Sequence, residues 1–324
     1  MAGIAASVID TIQDTPLVDL ARLVQHLELD GRILAKLDNL LPGYSKKDRA
    51  AQAIVTAARA DGRLAQGQTV VELTSGNMGT GLAIVCAVLG HPFVAVMSAG
   101  NSVERARMMR ALGAEVVIVP QADGATKGQV TAADLALVDA QARDIVRQRG
   151  AFRADQFEDG GNPAAHLDGT GPELWAQSAG SLTAFCDFAG SGGTLAGVAR
   201  ALAPHGVRSY AVEPDGAQTI AGHPVTSASH PIQGGGYAMP DLTHLQGVAL
   251  AGTLPVTGDE ARAYARLMAQ REGIFGGYSA GANLAAAVQL LRGAERGGTV
   301  AFIVCDSGLK YLSTDLWEGQ DDNQ

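Results

Sequence analysis

Two adjacent lysines stand in the segment Gly43-Tyr44-Ser45-Lys46-Lys47-Asp48-Arg49, between the strand-like run Ile33-Leu34-Ala35-Lys36-Leu37 and an alanine-rich stretch of helical pattern. An amine at the mouth of a helix lies among backbone N–H groups, and Arg49 adds a further positive charge. Both disfavour the ammonium form and make the amine more nucleophilic toward an aldehyde. Most lysines are solvated surface charges, so the pair gains meaning only from what accompanies it. Lys47 runs directly into Asp48-Arg49 and is the expected nucleophile; Lys46 is expected to face solvent.

A second loop, Thr74-Ser75-Gly76-Asn77-Met78-Gly79, follows the run Thr69-Val70-Val71-Glu72-Leu73. Its hydroxyl, amide and backbone donors at a helix start suit a carboxylate, and equally suit a helix N-cap. A third loop, Gly190-Ser191-Gly192-Gly193-Thr194, follows the apolar run at 182–189. Its glycines let backbone N–H groups approach an anion at the positive end of the next helix. Taken alone it reads equally as a phosphate site or as a dinucleotide fingerprint, because Glu213 ends the next strand where a ribose-binding acid would stand, although Leu195 occupies the place of the third glycine. One amine, one bed of small polar groups and one anion cradle are together the parts that hold an aldehyde cofactor with a phosphate tail.

The elements that must position these loops alternate. Strand-like runs at 33–38, 69–73, 93–97 and 115–119 are each followed by helical patterns, at 46–60, 77–89, 102–112 and 131–149. The alternation resumes with a strand at 183–189, a helix at 193–203, a strand at 209–213, helices at 257–272 and 279–292 and a strand at 300–305. Such an order predicts right-handed crossovers and mostly parallel sheets. Thr15-Pro16-Leu17 is read as a turn into a short amphipathic helix, 121–127 and 214–237 as loops, and 318–324 as a solvated tail.

With 324 residues, two lobes are the default. The expected division is a larger subdomain of residues 1–40 plus 151–324 and a smaller mobile one of 41–150. A net charge of -9 without long runs argues against nucleic acid as the partner. No stretch reaches the ~20 apolar residues of a membrane helix, and with no basic apolar leader the expected location is cytoplasmic. The three cysteines, Cys86, Cys186 and Cys305, sit in apolar runs as buried thiols; the seven histidines share no ligand spacing, so no metal is expected.

The ordered motifs Thr15-Pro16-Leu17, Pro42-Gly43-Tyr44-Ser45-Lys46-Lys47-Asp48-Arg49, Thr74-Ser75-Gly76-Asn77, Ser102-Val103-Glu104-Arg105, Gln156-Phe157, Thr170-Gly171-Pro172-Glu173-Leu174-Trp175, Gly190-Ser191-Gly192-Gly193-Thr194, Ile232-Gln233-Gly234, Glu272-Gly273-Ile274 and Tyr311-Leu312-Ser313-Thr314 strongly resemble the cysteine synthase and cystathionine β-synthase family, from about residue 8 to about 317. The resemblance implies an α/β fold of the tryptophan synthase β-like type II kind, with two three-layer αβα subdomains, pyridoxal 5'-phosphate as cofactor, small amino-acid substrates and a homodimer. It further implies that Lys47 forms the Schiff base and moves the Cα proton, Asn77 bonds the cofactor's phenolic oxygen, and Gly190, Ser191, Gly192, Gly193 and Thr194 hold its phosphate. Ser279 faces the pyridine nitrogen. Thr74, Ser75, Gly76, Met78 and Gln156 bind substrate, and closure of the smaller subdomain excludes water.

The activity implied is β-replacement on an activated L-serine, such as O-acetyl-L-serine, or on cysteine, through an aminoacrylate. The alternative is plain β-elimination, as in a cysteine desulfhydrase or serine dehydratase. A nicotinamide dehydrogenase using Glu213, or a non-catalytic binding protein, are the readings from other classes. Met78 and Ser191 depart from the usual cysteine synthase pattern toward that of β-cyanoalanine synthases. Tyr44 stands for a usual glycine and Asp187 for a small or apolar residue. Tyr44, Met78 and Asp187 are read as reshaping the pocket for a nucleophile other than sulfide, such as a cation or an amine, and Gly234 is a further candidate for specificity beside Tyr44 and Asp187; for Asp187 a carboxylate turned to solvent is the competing expectation.

Overall fold

The structure, a computed structural model, describes residues 3–101, 103–123 and 132–318. Ser102, residues 124–127 of the expected loop, and 319–324 of the expected tail lie outside the described residues.

Ten strands are described: β1 Leu17–Asp19, β2 Arg32–Lys36, β3 Val70–Leu73, β4 Phe93–Ser98, β5 Glu115–Val119, β6 Phe152–Arg153, β7 Ala184–Phe188, β8 Arg208–Pro214, β9 Gly252–Val256 and β10 Thr299–Ile303. The α-helices are α1 Ala21–His26, α2 Lys47–Ala60, α3 Asn77–Leu89, α4 Val103–Ala111, α5 Ala132–Arg149, α6 Gly161–Ala165, α7 Gly171–Gln177, α8 Gly193–Leu202, α9 Gly258–Glu272 and α10 Tyr278–Arg292.

The chain forms two compact units. One comprises Met1–Ile12 and Lys47–Asn162, the other Gln13–Lys46 and Pro163–Gln324. The chain therefore passes from one unit to the other at 12/13, 46/47 and 162/163, where the sequence suggested 40/41 and 150/151 and placed residues 1–12 with the larger subdomain.

The first unit holds a four-stranded parallel sheet in the order β5-β4-β3-β6. Val71, Val94 and Val96 pack with Val138, Ala142 and Ile145 of α5 as one apolar cluster. Helix α3 is buried along Met78, Gly79, Thr80, Gly81 and the five residues that follow, so it reads as apolar all round instead of striped. Its small residues bring it close to α2: a Cβ on Gly81 would sit 3.1 Å from the Ala51 Cβ.

The second unit holds a six-stranded sheet in the order β1-β2-β10-β7-β8-β9. All pairings are parallel except β1 with β2. Alternate residues of each strand feed different clusters, as strand geometry requires. Ile33, Ala184, Cys186, Val300 and Phe302 pack with α9 and α10, while Leu34, Phe185, Ala301 and Ile303 pack with α7 and α8. Helices thus cover both faces, which is why these strands are apolar runs.

Where the sequence suggested only a turn at Thr15-Pro16-Leu17, a three-residue antiparallel edge strand precedes α1. The second edge strand, β9, contains Gly252 and Pro255; proline is tolerated there because an edge leaves one row of donors unpaired.

Helices α9 and α10 meet where Gly281 faces α9: a Cβ at this position would lie 1.9 Å from the Ala261 carbonyl oxygen and 2.8 Å from the Ala265 nitrogen. Gly281→Ala is expected to lower stability by roughly 1–3 kcal/mol through overpacking, read as a fall in the denaturant midpoint. A midpoint equal to the wild type would mean that the two helices separate freely.

Candidate active site

In the first unit, strand β3 ends in the Thr74-Ser75-Gly76-Asn77 loop, and α3 starts at Asn77. Thr74 is buried, and its Oγ1 accepts from the Gly79 N–H at 2.9 Å and the Gly76 N–H at 3.4 Å. The hydroxyl therefore fixes the loop by bonding the first turn of the helix, the capping function the residue type allows. Ser75, Gly76 and Asn77 are half-buried, whereas Met78 is buried at 2 % exposure. Arg105 Nη1 donates to the Ser75 carbonyl at 3.4 Å.

Two residues before Thr74, Glu72 ties a further segment to this loop. Its carboxylate accepts from the Asp155 N–H at 2.7 Å and from the Gln156 N–H and Nε2, both at 3.5 Å. Asn162 Nδ2 donates to the Gln156 carbonyl at 2.7 Å. Thr74 and Gln156, 82 residues apart by number, are thus held through one buried acid, which the sequence reading did not single out.

Burial, with the Asp155 carboxylate adding to it and Arg153 opposing, pushes the Glu72 carboxyl up to about 7. An acid with a raised folded-state pKa keeps a proton that the unfolded chain has released. The associated stability is full below pH ~4.5 and is lost as pH rises to ~7, on the order of 3 kcal/mol. Glu72→Gln is expected to flatten this part of the stability–pH curve, read by denaturant unfolding at pH 4.5, 6 and 7.5. An unchanged slope would remove Glu72 as its source.

In the second unit, β7 leads through Ala189 into Gly190-Ser191-Gly192-Gly193-Thr194 and α8. Gly192 is the N-cap at φ 82° and has no side chain with which to cap the helix start. A Cβ on Gly190 would stand 2.7 Å from the Gly234 carbonyl oxygen, and one on Gly192 2.9 Å from Leu245 Cγ. The loop is therefore built only from glycine at its tight positions, backed by the segment carrying Gly234, and its helix start favours an anion. These features fit a phosphate.

Thr194 Oγ1 lies 3.2 Å from His166 Nε2, and His166 Nδ1 lies 2.9 Å from Thr170 Oγ1. His166 is fully buried in a π-helical turn, His166–Thr170, between α6 and α7. The sequence reading missed His166: Gly160, Gly161, Pro163, Gly169, Gly171 and Pro172 interrupt any helical period around it. Ser279 is buried in the first turn of α10.

The expectation that Lys46 faces solvent is overturned. Lys46 is 6 % exposed, and its Nζ donates to Asp187 Oδ1 and Oδ2, both at 2.7 Å. Asp187 is 1 % exposed, so the solvent-facing alternative for it falls too. Burial alone would lower the Lys46 pKa, but the Asp187 carboxylate outweighs it and raises the ammonium above its ordinary value. Pairing is what makes two buried charges tolerable.

Tyr44 lies in the same unit, exposed, with φ 59°. That left-handed backbone explains why glycine is usual at this place and strains a tyrosine. The Tyr44 carbonyl accepts from the Ser307 N–H at 3.1 Å.

The family model described as pyridoxal-phosphate dependent enzyme matches residues 8–306. The O-ureido-L-serine synthase of Streptomyces lavendulae is 38% identical to this chain, over 98% of this chain and 94% of the relative. A cysteine synthase of Staphylococcus aureus is 35% identical over 96% of each. The crystal structure of O-acetyl serine sulfhydrylase isoform 3 from Entamoeba histolytica superposes with a TM-score of 0.88 at 32% identity, covering 100% of this chain and 94% of that chain.

Proposed function

Because the chain belongs to the pyridoxal-phosphate dependent enzymes, we propose that it catalyses β-replacement on an activated L-serine, O-acetyl-L-serine first among donors, with a nucleophile that need not be sulfide. Bound pyridoxal phosphate draws electrons from the substrate's Cα, so that the β-substituent departs and a nucleophile takes its place.

In this reading Lys47 Nζ bonds the cofactor aldehyde and then carries the Cα proton. Lys46 is unsuited to that role, since its ammonium is committed to Asp187 at 2.7 Å. The 190–194 loop takes the phosphate and Asn77 the phenolic oxygen. Thr74, Ser75, Gly76 and Gln156 bind the substrate carboxylate, with Met78 beside them.

The observation that carries β-chemistry is the buried hydroxyl of Ser279 at the start of α10. A neutral group there, in place of a carboxylate, restrains the ring as an electron sink and favours β-elimination and replacement over transamination. The two curated relatives, named for making O-ureido-L-serine and cysteine, support a serine-derived donor and more than one kind of acceptor. Tyr44, Asp187 and Gly234 are the proposed specificity positions. A cytoplasmic homodimer completes the proposal; among the described residues no helix is long and apolar enough to cross a membrane.

The test is product analysis by mass spectrometry. O-acetylserine, O-phosphoserine, serine and cysteine are each paired with sulfide, cyanide, hydroxyurea and a primary amine. A new β-substituted alanine with one pair supports the proposal. Pyruvate and ammonia as sole products with every pair would replace it by β-elimination.

A further inference from the structure

Gly193 and Thr194 open α8, where the backbone N–H groups of the first turn have no acceptor within the helix. Thr194 adds a hydroxyl to this row of donors, and it is only 3 % exposed. A hydroxyl has one proton and can send it in more than one direction. A histidine stands where it can settle that direction. His166 Nε2 lies 3.2 Å from Thr194 Oγ1, and across the ring Nδ1 lies 2.9 Å from Thr170 Oγ1. His166 and Thr170 are both fully buried.

Small residues bring the ring this close. Gly197 is three residues beyond Thr194 on the same face of α8, and a Cβ there would stand 2.7 Å from His166 Cβ and 2.8 Å from the Leu167 nitrogen. A Cβ on Gly171, which follows the turn, would collide with Ala201 Cβ of α8. The His166–Thr170 turn is π-helical, a form that recurs at functional sites. A leucine could fill such a space with no partners at all, whereas a buried imidazole is tolerated only when its nitrogens are hydrogen-bonded. Both nitrogens are, and one of them meets the proposed phosphate loop.

We propose that His166 is a positioning residue whose Nε2 donates its proton to Thr194 Oγ1, so that the Thr194 hydroxyl presents its own proton to the anion held by the 190–194 loop. The neutral ring has two forms. With the proton on Nδ1, Nε2 is an acceptor and takes the Thr194 proton, leaving an oxygen lone pair toward the anion. With the proton on Nε2, Thr170 donates to Nδ1, Nε2 donates to Thr194, and the Thr194 proton is left for the anion. A hydrogen bond to a charged group is roughly twice as strong as one between neutral groups, so a bound anion favours the second form. Its three hydrogen bonds then run in one direction and polarise one another in a buried setting.

This inference rests on the reading of residues 190–194 as the phosphate cradle and deepens it. Equilibrium dialysis of pyridoxal phosphate compares wild type, Thr194→Val, His166→Leu, His166→Gln and the His166→Leu/Thr194→Val double variant. Denaturant unfolding of each cofactor-free protein shows that it is folded when its affinity is read. Thr194→Val and His166→Leu should each weaken binding by about tenfold or more, the scale of one hydrogen bond to a charged group. His166→Gln keeps an N–H donor near the place of Nε2 and should stay within about threefold of wild type. Added to Thr194→Val, His166→Leu should cost less than about twofold more, because the histidine acts only through that hydroxyl.

Wild-type affinity in His166→Leu, or a loss as large in the Thr194→Val background as in its absence, would overturn the proposal and make His166 a packing residue. If His166→Leu does not fold, the wild-type holoenzyme decides. Its ring-nitrogen shifts are read by NMR with isotope-labelled histidine, and the His166→Gln spectrum assigns the signal. A proton on Nε2 supports the proposal, and a ring protonated on Nδ1 alone overturns it. Wild-type affinity in both Thr194→Val and Gly192→Val would instead defeat the phosphate reading of the loop, and this inference with it.

Discussion

Lys47→Ala is expected to lower turnover at least ~10³-fold, the scale of losing a positioned acid–base group, while the unfolding midpoint stays within ~0.5 kcal/mol of wild type. Lys47 is the first residue of α2 and half-buried, and the helix continues for thirteen further residues, of which Asp48, Arg49, Ala50, Ala51, Ile54, Val55 and Ala58 are buried. Lys46 offers no substitute amine. Its Nζ is held at 2.7 Å by both oxygens of Asp187, and leaving that pair would strand a buried carboxylate. Steady-state kinetics with O-acetylserine as donor, beside denaturant unfolding, check the prediction. Retained turnover would move the amine role elsewhere; lost turnover with a collapsed unfolding midpoint would make the effect one of folding.

Gly192→Val is expected to weaken cofactor binding by at least about tenfold. Two costs combine. The backbone at φ 82° lies in the left-handed region, where a β-branched residue is an outlier costing roughly 1–2 kcal/mol, and tenfold in affinity needs only about 1.4 kcal/mol. The added carbon would also press on Leu245 Cγ from 2.9 Å, so the loop must shift at the point where it presents its amides. Equilibrium dialysis of pyridoxal phosphate against both proteins reads the effect. Equal affinity would mean that the 190–194 backbone is not the phosphate cradle.

Much of the scaffold was legible because strand and helix alternate with clear punctuation. The helix read at 77–89 is Asn77–Leu89 and the strand read at 115–119 is Glu115–Val119. What escaped had weak local signals. Strand β9 carries a glycine and a proline, β6 has two residues, and the helices between Gly161 and Gln177 are broken by a π turn.

Lys46 was misread for a different reason. A lone lysine is most often solvated, and its partner lies 141 residues away in sequence, so only the fold shows that a neighbouring carboxylate makes burial tolerable. Glu72 and His166 escaped in the same way. One is a strand acid whose acceptors serve a loop beyond residue 150, the other a histidine whose two ring nitrogens meet threonines at 170 and 194. The residues proposed to present groups to substrate and cofactor sit in recognisable loops, whereas those that hold the loops in place are scattered.

The most direct test is reductive trapping. Borohydride treatment of the pyridoxal phosphate-loaded enzyme, followed by digestion and tandem mass spectrometry that distinguishes the adjacent lysines, is predicted to place a single pyridoxyl group on Lys47. A label on Lys46, on any other lysine, or on none would contradict the account.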